Sequence, residues 1–156
     1  MSDLKELPMD DPMEYPGIKS WADEWGGGVD YVDYVKSNGD LAMLVALSRL
    51  LWPRFVEVQG CVLWDRAYEE PNFELWHDSL SGDTRKIEAT LNQLRVWQIV
   101  ESEDVEEDWQ ALKFAADCIV KTWRAALRAE FPERNFDVRV IDSEDGPIVT
   151  FSSGLA

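Results

Sequence analysis

The sequence predicts an α+β fold: a small, mainly antiparallel sheet of about four strands, arranged as two hairpins and packed against three to four helices. Three observations carry this expectation. Apolar residues recur every three or four positions through Val105, Trp109, Leu112, Ala116, Ile119, Trp123, Leu127 and Phe131, the stripe of a long amphipathic helix. Phe136, Val138 and Val140 alternate with Asp137 and Arg139, and a partner run from Ile148 to Phe151 follows the turn-forming segment Ser143-Glu-Asp-Gly-Pro147. Phe55 to Val58 and Cys61 to Trp64 are short strand-like runs on either side of Gln59-Gly60, which favours a tight hairpin over one bulged strand.

Along the chain, residues 1–38 hold Pro8, Pro12, Pro16 and the run Gly26-Gly-Gly28 without sustained periodicity, which predicts an irregular arm ahead of a single domain over 39–156. Trp21, Trp25, Tyr31 and Tyr34 give that arm more aromatic surface than a disordered tail carries, so it is expected to dock on the domain or on a partner. A helix from about Leu41 to Leu51 has Asn38 or Asp40 as its N-cap and Pro53 beyond its end. It is apolar nearly all round, which predicts a place in the middle of the core. A short helix around Asn72 to Leu80 precedes Ser81-Gly82-Asp83, which caps a longer helix expected to run through Trp97 with Ile87, Leu91 and Leu94 facing inward.

The long helix has Glu106, Glu107 and Asp108 in its first turn and Arg124 and Arg128 near its last, complementing the helix dipole at both ends, and Pro132 stops it. The segments Leu50 to Val58 and Glu130 to Val138 share one plan: helix end, aromatic, proline, arginine, phenylalanine, valine-bearing strand. Proline bars the preceding residue from helical geometry, so each segment is a sharp helix-to-strand exit; a common junction explains the echo more simply than duplication does.

Charge restricts function. The 156 residues carry 31 acids against 15 bases, a net charge of −16, which excludes DNA or RNA binding by phosphate neutralisation. Such a surface suits a cationic partner and speeds its encounter. The N-terminal residues lack a basic segment followed by an apolar run, and the longest apolar run is far too short for a membrane, so a cytoplasmic protein with no membrane association is expected. Cys61 and Cys118 sit in apolar runs and read as free thiols. Most of the eight tryptophans fall on expected elements and read as core.

No catalytic set emerges. His77 is the single histidine, so no His-His metal site can form, and the cysteines lack ligand spacing. His77 beside Glu74 reads as a partly exposed histidine tuned by a carboxylate, and a Cys61/His77 nucleophile pair has no third group to orient the base. Glu69-Glu70 and the acids at 142–145 do not match a calcium loop, and Gly26-Gly-Gly28 lacks the lysine of a phosphate loop. No cofactor and no metal is expected.

What remains is Glu101, Glu103, Asp104, Glu106, Glu107 and Asp108 at the mouth of the long helix, with Asp142, Glu144 and Asp145 in the last turn. With Trp21 and Trp25 as aromatic anchors, these are the candidate partner-binding residues. They point to a non-catalytic acidic binding protein that neutralises a basic protein partner, such as a toxin or nuclease, in the manner of an immunity protein or antitoxin. Two alternatives stand beside it. One is a small-molecule-binding domain or enzyme with a pocket of Trp64, Trp76, Trp97 and Trp123 and His77 or a glutamate at its mouth. The other is an adaptor subunit of a larger bacterial assembly, docking through its aromatic arm.

Overall fold

The computed structural model describes residues 8–154. In chain order they form α1 (Pro16–Glu24), α2 (Tyr31–Asn38), α3 (Leu41–Leu51), β1 (Phe55–Val58), β2 (Cys61–Trp64), α4 (Glu70–Ser79), α5 (Thr84–Leu91), β3 (Leu94–Arg95), α6 (Glu106–Glu130), β4 (Phe136–Ser143) and β5 (Gly146–Ser153). The fold is α+β, with an antiparallel β1-β2 pair and an antiparallel sheet of order β3-β5-β4. Both expected hairpins form. β1 and β2 close at Val58↔Cys61, with Gln59 at φ 50° and Gly60 at φ 83°, the paired left-handed geometry of a type I′ turn.

The two sheets are not hydrogen-bonded to each other, and α5 joins them with two polar side chains one turn apart. Glu88 accepts from Val62 N at 2.8 Å on β2 and from Ser153 N at 2.9 Å on β5. Asn92, just past the helix, accepts from Trp64 N at 2.9 Å and donates to the Val62 and Phe151 carbonyls at 3.0 and 3.3 Å. Both residues are fully buried, yet among the described residues no buried side-chain polar atom lacks a partner. Backbone groups on facing strand edges, costly to bury unpaired, are thus satisfied by side chains instead of a ladder.

The core lies between these sheets and α6. Of the stripe, Leu112, Ala116, Ile119, Trp123 and Leu127 are buried. Rings link the two helix-proline-strand units: Phe55 meets Phe131 and Phe151 edge-on at centroid distances of 6.3 and 5.5 Å, and Phe131 meets Phe136 at 5.8 Å. Phe131 and Phe136 therefore pin β4 to the end of α6, and Phe55 ties the first unit to the second, whereas Trp52, the aromatic before Pro53, lies exposed.

The structure corrects three expectations. Residues 12–38 are not an irregular arm: Pro12 and Pro16 occupy first-turn positions of a 3₁₀ turn and of α1, where a missing N–H costs nothing, and Asp30 with Asp33 forms a capping box that starts α2. Residues 1–7 of that expected arm lie outside the described residues. The helix that begins at Thr84 does not reach Trp97; it ends at Leu91, and the chain turns into β3, which pairs with β5 through Leu94↔Val149. Finally, α3 is not in the core. Leu41 is 75 % exposed, Val45 64 % and Leu44 55 %, and only Leu50 packs against the core. The stripe of α6 already fills the helical side of the sheet, so α3 is held at its edge, where Trp123 Nε1 donates to the Leu50 carbonyl at 2.9 Å.

Candidate functional site

The acids at the mouth of α6 are not a loose solvated run. Asp108 Oδ2 accepts from Glu103 N at 2.7 Å and Oδ1 from the Tyr15 hydroxyl at 2.8 Å, while Asp104 Oδ1 accepts from Trp109 Nε1 at 2.8 Å. These bonds fold the segment 101–104 back over the start of the helix. The hydrogen bond from the Glu103 amide, followed by that from Tyr15, holds the Asp108 carboxyl below its ordinary range; the same bond to Asp108, with partial burial, holds the Tyr15 phenol above its own.

The β4-β5 turn meets this loop because of Gly146. It lies at φ 143° against the Trp97 ring, and a Cβ there would come within 3.0 Å of the ring's Cε3. Only glycine meets both demands, and its seat on Trp97 brings Glu144 and Asp145 opposite Glu101, Glu103 and Asp104. These five acids line one cleft of about 760 Å³ with Trp97 and Trp109, and among the described residues no lysine or arginine lines it. Glu106 and Asp142 face a smaller hollow of about 360 Å³ that also touches Trp109. Glu107 is exposed and lines neither.

Trp21 and Trp25 lie apart from the acids. Trp21 meets Tyr34 edge-on at 5.4 Å and Trp25 at 6.0 Å, an aromatic knot between α1 and α2 that leaves Trp25 65 % exposed. Its tether to the acidic segment is Tyr15, next to the start of α1. Sequence reasoning missed Tyr15, Trp97 and Trp109 as parts of the site. The dipeptide Gly146-Pro147 was the one available signal that the last hairpin turns tightly.

An apolar groove of about 430 Å³ opens beside the cleft, between α3 and α6, lined by Leu47, Leu51, Val96, Ala111 and Ala115 among others. Cleft and groove share Ile99, Val100, Glu101, Ser102 and Leu112, so acidic and apolar walls are continuous. The exposed face of α3 extends the apolar wall outward.

The expected tryptophan pocket does not form from all four rings. Trp64 and Trp76 line one hollow, Trp97 faces the acidic cleft, and Trp123 is sealed in the core. Glu74 accepts from Gln59 at 3.0 Å, and His77 packs on Phe73 with a centroid separation of 5.8 Å. Cys61 is buried, and that burial, followed by the nearby Glu88 carboxylate, pushes its thiol pKa up, which disfavours the nucleophilic thiolate. Among the described residues no group of three or more His, Cys, Asp or Glu could hold a metal ion, and no helix is long and apolar enough to cross a membrane. Compared with known proteins, the chain matches no family model, no curated protein and no solved structure.

The Tyr15 to Asp108 tether has an expected pH dependence. Because the folded pKa of Asp108 is depressed, its contribution to stability is present above the unfolded value, about 3.9, and is lost as pH falls through the folded one. The melting temperature of wild type is expected to exceed that of Asp108→Asn at pH 7, with the gap closing below about pH 4. A gap that stays constant between pH 7 and 3 would show that charge on Asp108 does not hold the tether.

Proposed function

We propose that the protein is a non-catalytic acidic binding protein that neutralises a basic protein partner, as an immunity protein or antitoxin does. One observation carries the reading: Glu101, Glu103 and Asp104 meet Glu144 and Asp145, some forty residues away in sequence, in a single cleft that no basic side chain among the described residues lines. Carboxylates spread for solubility have no reason to converge, and their mutual repulsion is relieved when lysine or arginine side chains enter. The adjoining apolar groove and α3 supply what acids alone lack. Charge steers encounter and register, whereas burial of rings and aliphatic side chains gives residence time. A helix with Leu41, Leu44 and Val45 all more than half exposed is a surface that a partner covers.

The test is affinity capture from the native host, followed by measurement on the purified complex. A cationic protein is expected, bound at low salt and weakened steeply as ionic strength rises past about 0.15 M, where the Debye length is about 8 Å. Reversing Glu101, Glu144 and Asp145 together to lysine is expected to weaken it about a hundredfold or more. Leu44→Glu is expected to weaken it while leaving the melting temperature of the free protein unchanged. A complex indifferent to both salt and the triple reversal would overturn the reading.

A further inference from the structure

In a chain this acidic, one concavity has the opposite character. The hollow that holds Trp64 and Trp76, about 900 Å³, is lined by Arg49, Arg66 and Arg95, with Asp65 as its single carboxylate among the described residues. The three arginines come from separate places: Arg49 from α3, Arg66 from the turn after β2, and Arg95 from β3. Among the described residues none of the three makes an ion pair, although acids outnumber bases twofold in the chain. Of the other arginines, Arg134 and Arg139 find carboxylates, Arg85 and Arg124 find backbone carbonyls, and Arg54 and Arg128 make no ion pair among the described residues, so what sets Arg49, Arg66 and Arg95 apart is that all three line one concavity. Arg66 instead rests over the Trp64 ring, its Cζ 5.3 Å from the centroid, so its guanidinium is positioned by cation–π attraction with its donors free.

We infer that this hollow is a binding site for a small organic anion that carries a flat ring, and specifically for a nucleoside diphosphate, whose two phosphates give three guanidiniums enough oxygens to share. The inference is independent of the protein partner and of the acidic cleft. Planar guanidinium forks match phosphate oxygens two at a time, which single lysines cannot do. Trp76 is half-buried on the wall and gives a ring face for stacking, and Asn72 and Gln93 offer amides that can read the polar edge of a heterocycle. Leu91 and Leu94 complete an apolar floor. The volume lies within the ordinary range of small-ligand sites, about 300–1,000 Å³. An acidic surface repels such an anion at long range, but within a Debye length, about 8 Å at physiological ionic strength, the local guanidiniums dominate.

The test is calorimetric titration of the full chain with ADP, GDP, CDP and UDP, beside pyrophosphate and the free nucleosides. At least one diphosphate is expected to bind saturably with Kd below about 1 mM, more tightly than pyrophosphate or its own nucleoside. Arg49→Gln, Arg66→Gln and Arg95→Gln are each expected to weaken it about tenfold, since each removes charge-assisted hydrogen bonds, and the triple variant to abolish it. All three side chains are exposed, so the melting temperature of each variant should match wild type. Arg128→Gln, which changes net charge equally but lies outside the hollow, should bind as wild type. Absence of binding by all four diphosphates, equal affinity for pyrophosphate, or equal weakening by Arg128→Gln would each overturn the assignment.

Discussion

Glu88→Ala is expected to destabilise the protein by about 3–5 kcal/mol, a loss disproportionate to one surface-type residue on a short helix. The side chain is 0 % exposed and serves Val62 N on one sheet and Ser153 N and Oγ on the other. Truncation leaves those amides facing each other across a space too apolar to solvate them. Each buried orphan costs about 1–3 kcal/mol, and the cavity adds to it. Glu88→Gln is expected to recover little, because its amide NH₂ would point at an N–H donor. Asn92→Asp is expected to fail for the mirror reason: a carboxylate would replace the amide that donates to the Val62 and Phe151 carbonyls. For a chain of this length each lost kcal/mol lowers the melting temperature by about 2–4 °C, so thermal unfolding separates these outcomes readily. Glu88→Ala melting within about 2 °C of wild type would mean that water or strand shift replaces the bridge.

This bridge also marks where the sequence stopped being legible. The α+β class, both hairpins and the bounds of α6 follow from periodicity and turn chemistry, which are local. Glu88 and Asn92 are polar residues one turn apart on a helix, and such a pair ordinarily reads as a solvent-facing stripe. Nothing local says that two sheet edges converge on them. Ile87 and Leu91 sit one position before each, so the polar pair borders the inward face, and that adjacency was the only available hint. Asn92 also explains why the helix does not continue to Trp97: its side chain is committed to β2 and β5, and the backbone turns there into β3, the second strand neighbour of β5.

α3 failed for a different reason. All-round apolar character predicts burial, but it carries no information about which neighbour would bury the helix, and the stripe of α6 already occupies the place in the core. The helices within 12–38 are hidden in the sequence because proline, a breaker inside a helix, is an opener at its first turn. At the candidate site the six acids of 101–108 were legible as a cluster, but their convergence with Glu144 and Asp145 depends on Gly146 seating against Trp97, a contact forty-nine residues apart in sequence. The arginine hollow was illegible altogether, since Arg49, Arg66 and Arg95 are scattered singly and become a group only in space.

The other large effect is expected at Trp123, the ring on which the core and α3 both depend. Its side chain is 0 % exposed, packs on Trp64 at 5.0 Å and meets Phe151 edge-on at 5.9 Å. Trp123→Ala is expected to cost about 3–5 kcal/mol, combining lost transfer energy with a cavity that the rigid α6 cannot close. Trp123→Phe separates packing from hydrogen bonding. It keeps a ring between Trp64 and Phe151 but removes the indole N–H that holds the Leu50 carbonyl, so a global cost of about 1–2 kcal/mol is expected. Its local effect should be larger. With nine of the eleven residues of α3 apolar and all but Leu50 exposed, little besides that hydrogen bond and the Leu50 contact fixes the helix to the body. Chymotrypsin should therefore cut within 41–52 faster in Trp123→Phe than in an equally destabilised variant elsewhere in the core, such as Ile87→Val. Equal cutting rates in the two would show that α3 is held by contacts other than this one, whereas the expected difference would identify Trp123 as the joint between the core and the exposed apolar face of α3.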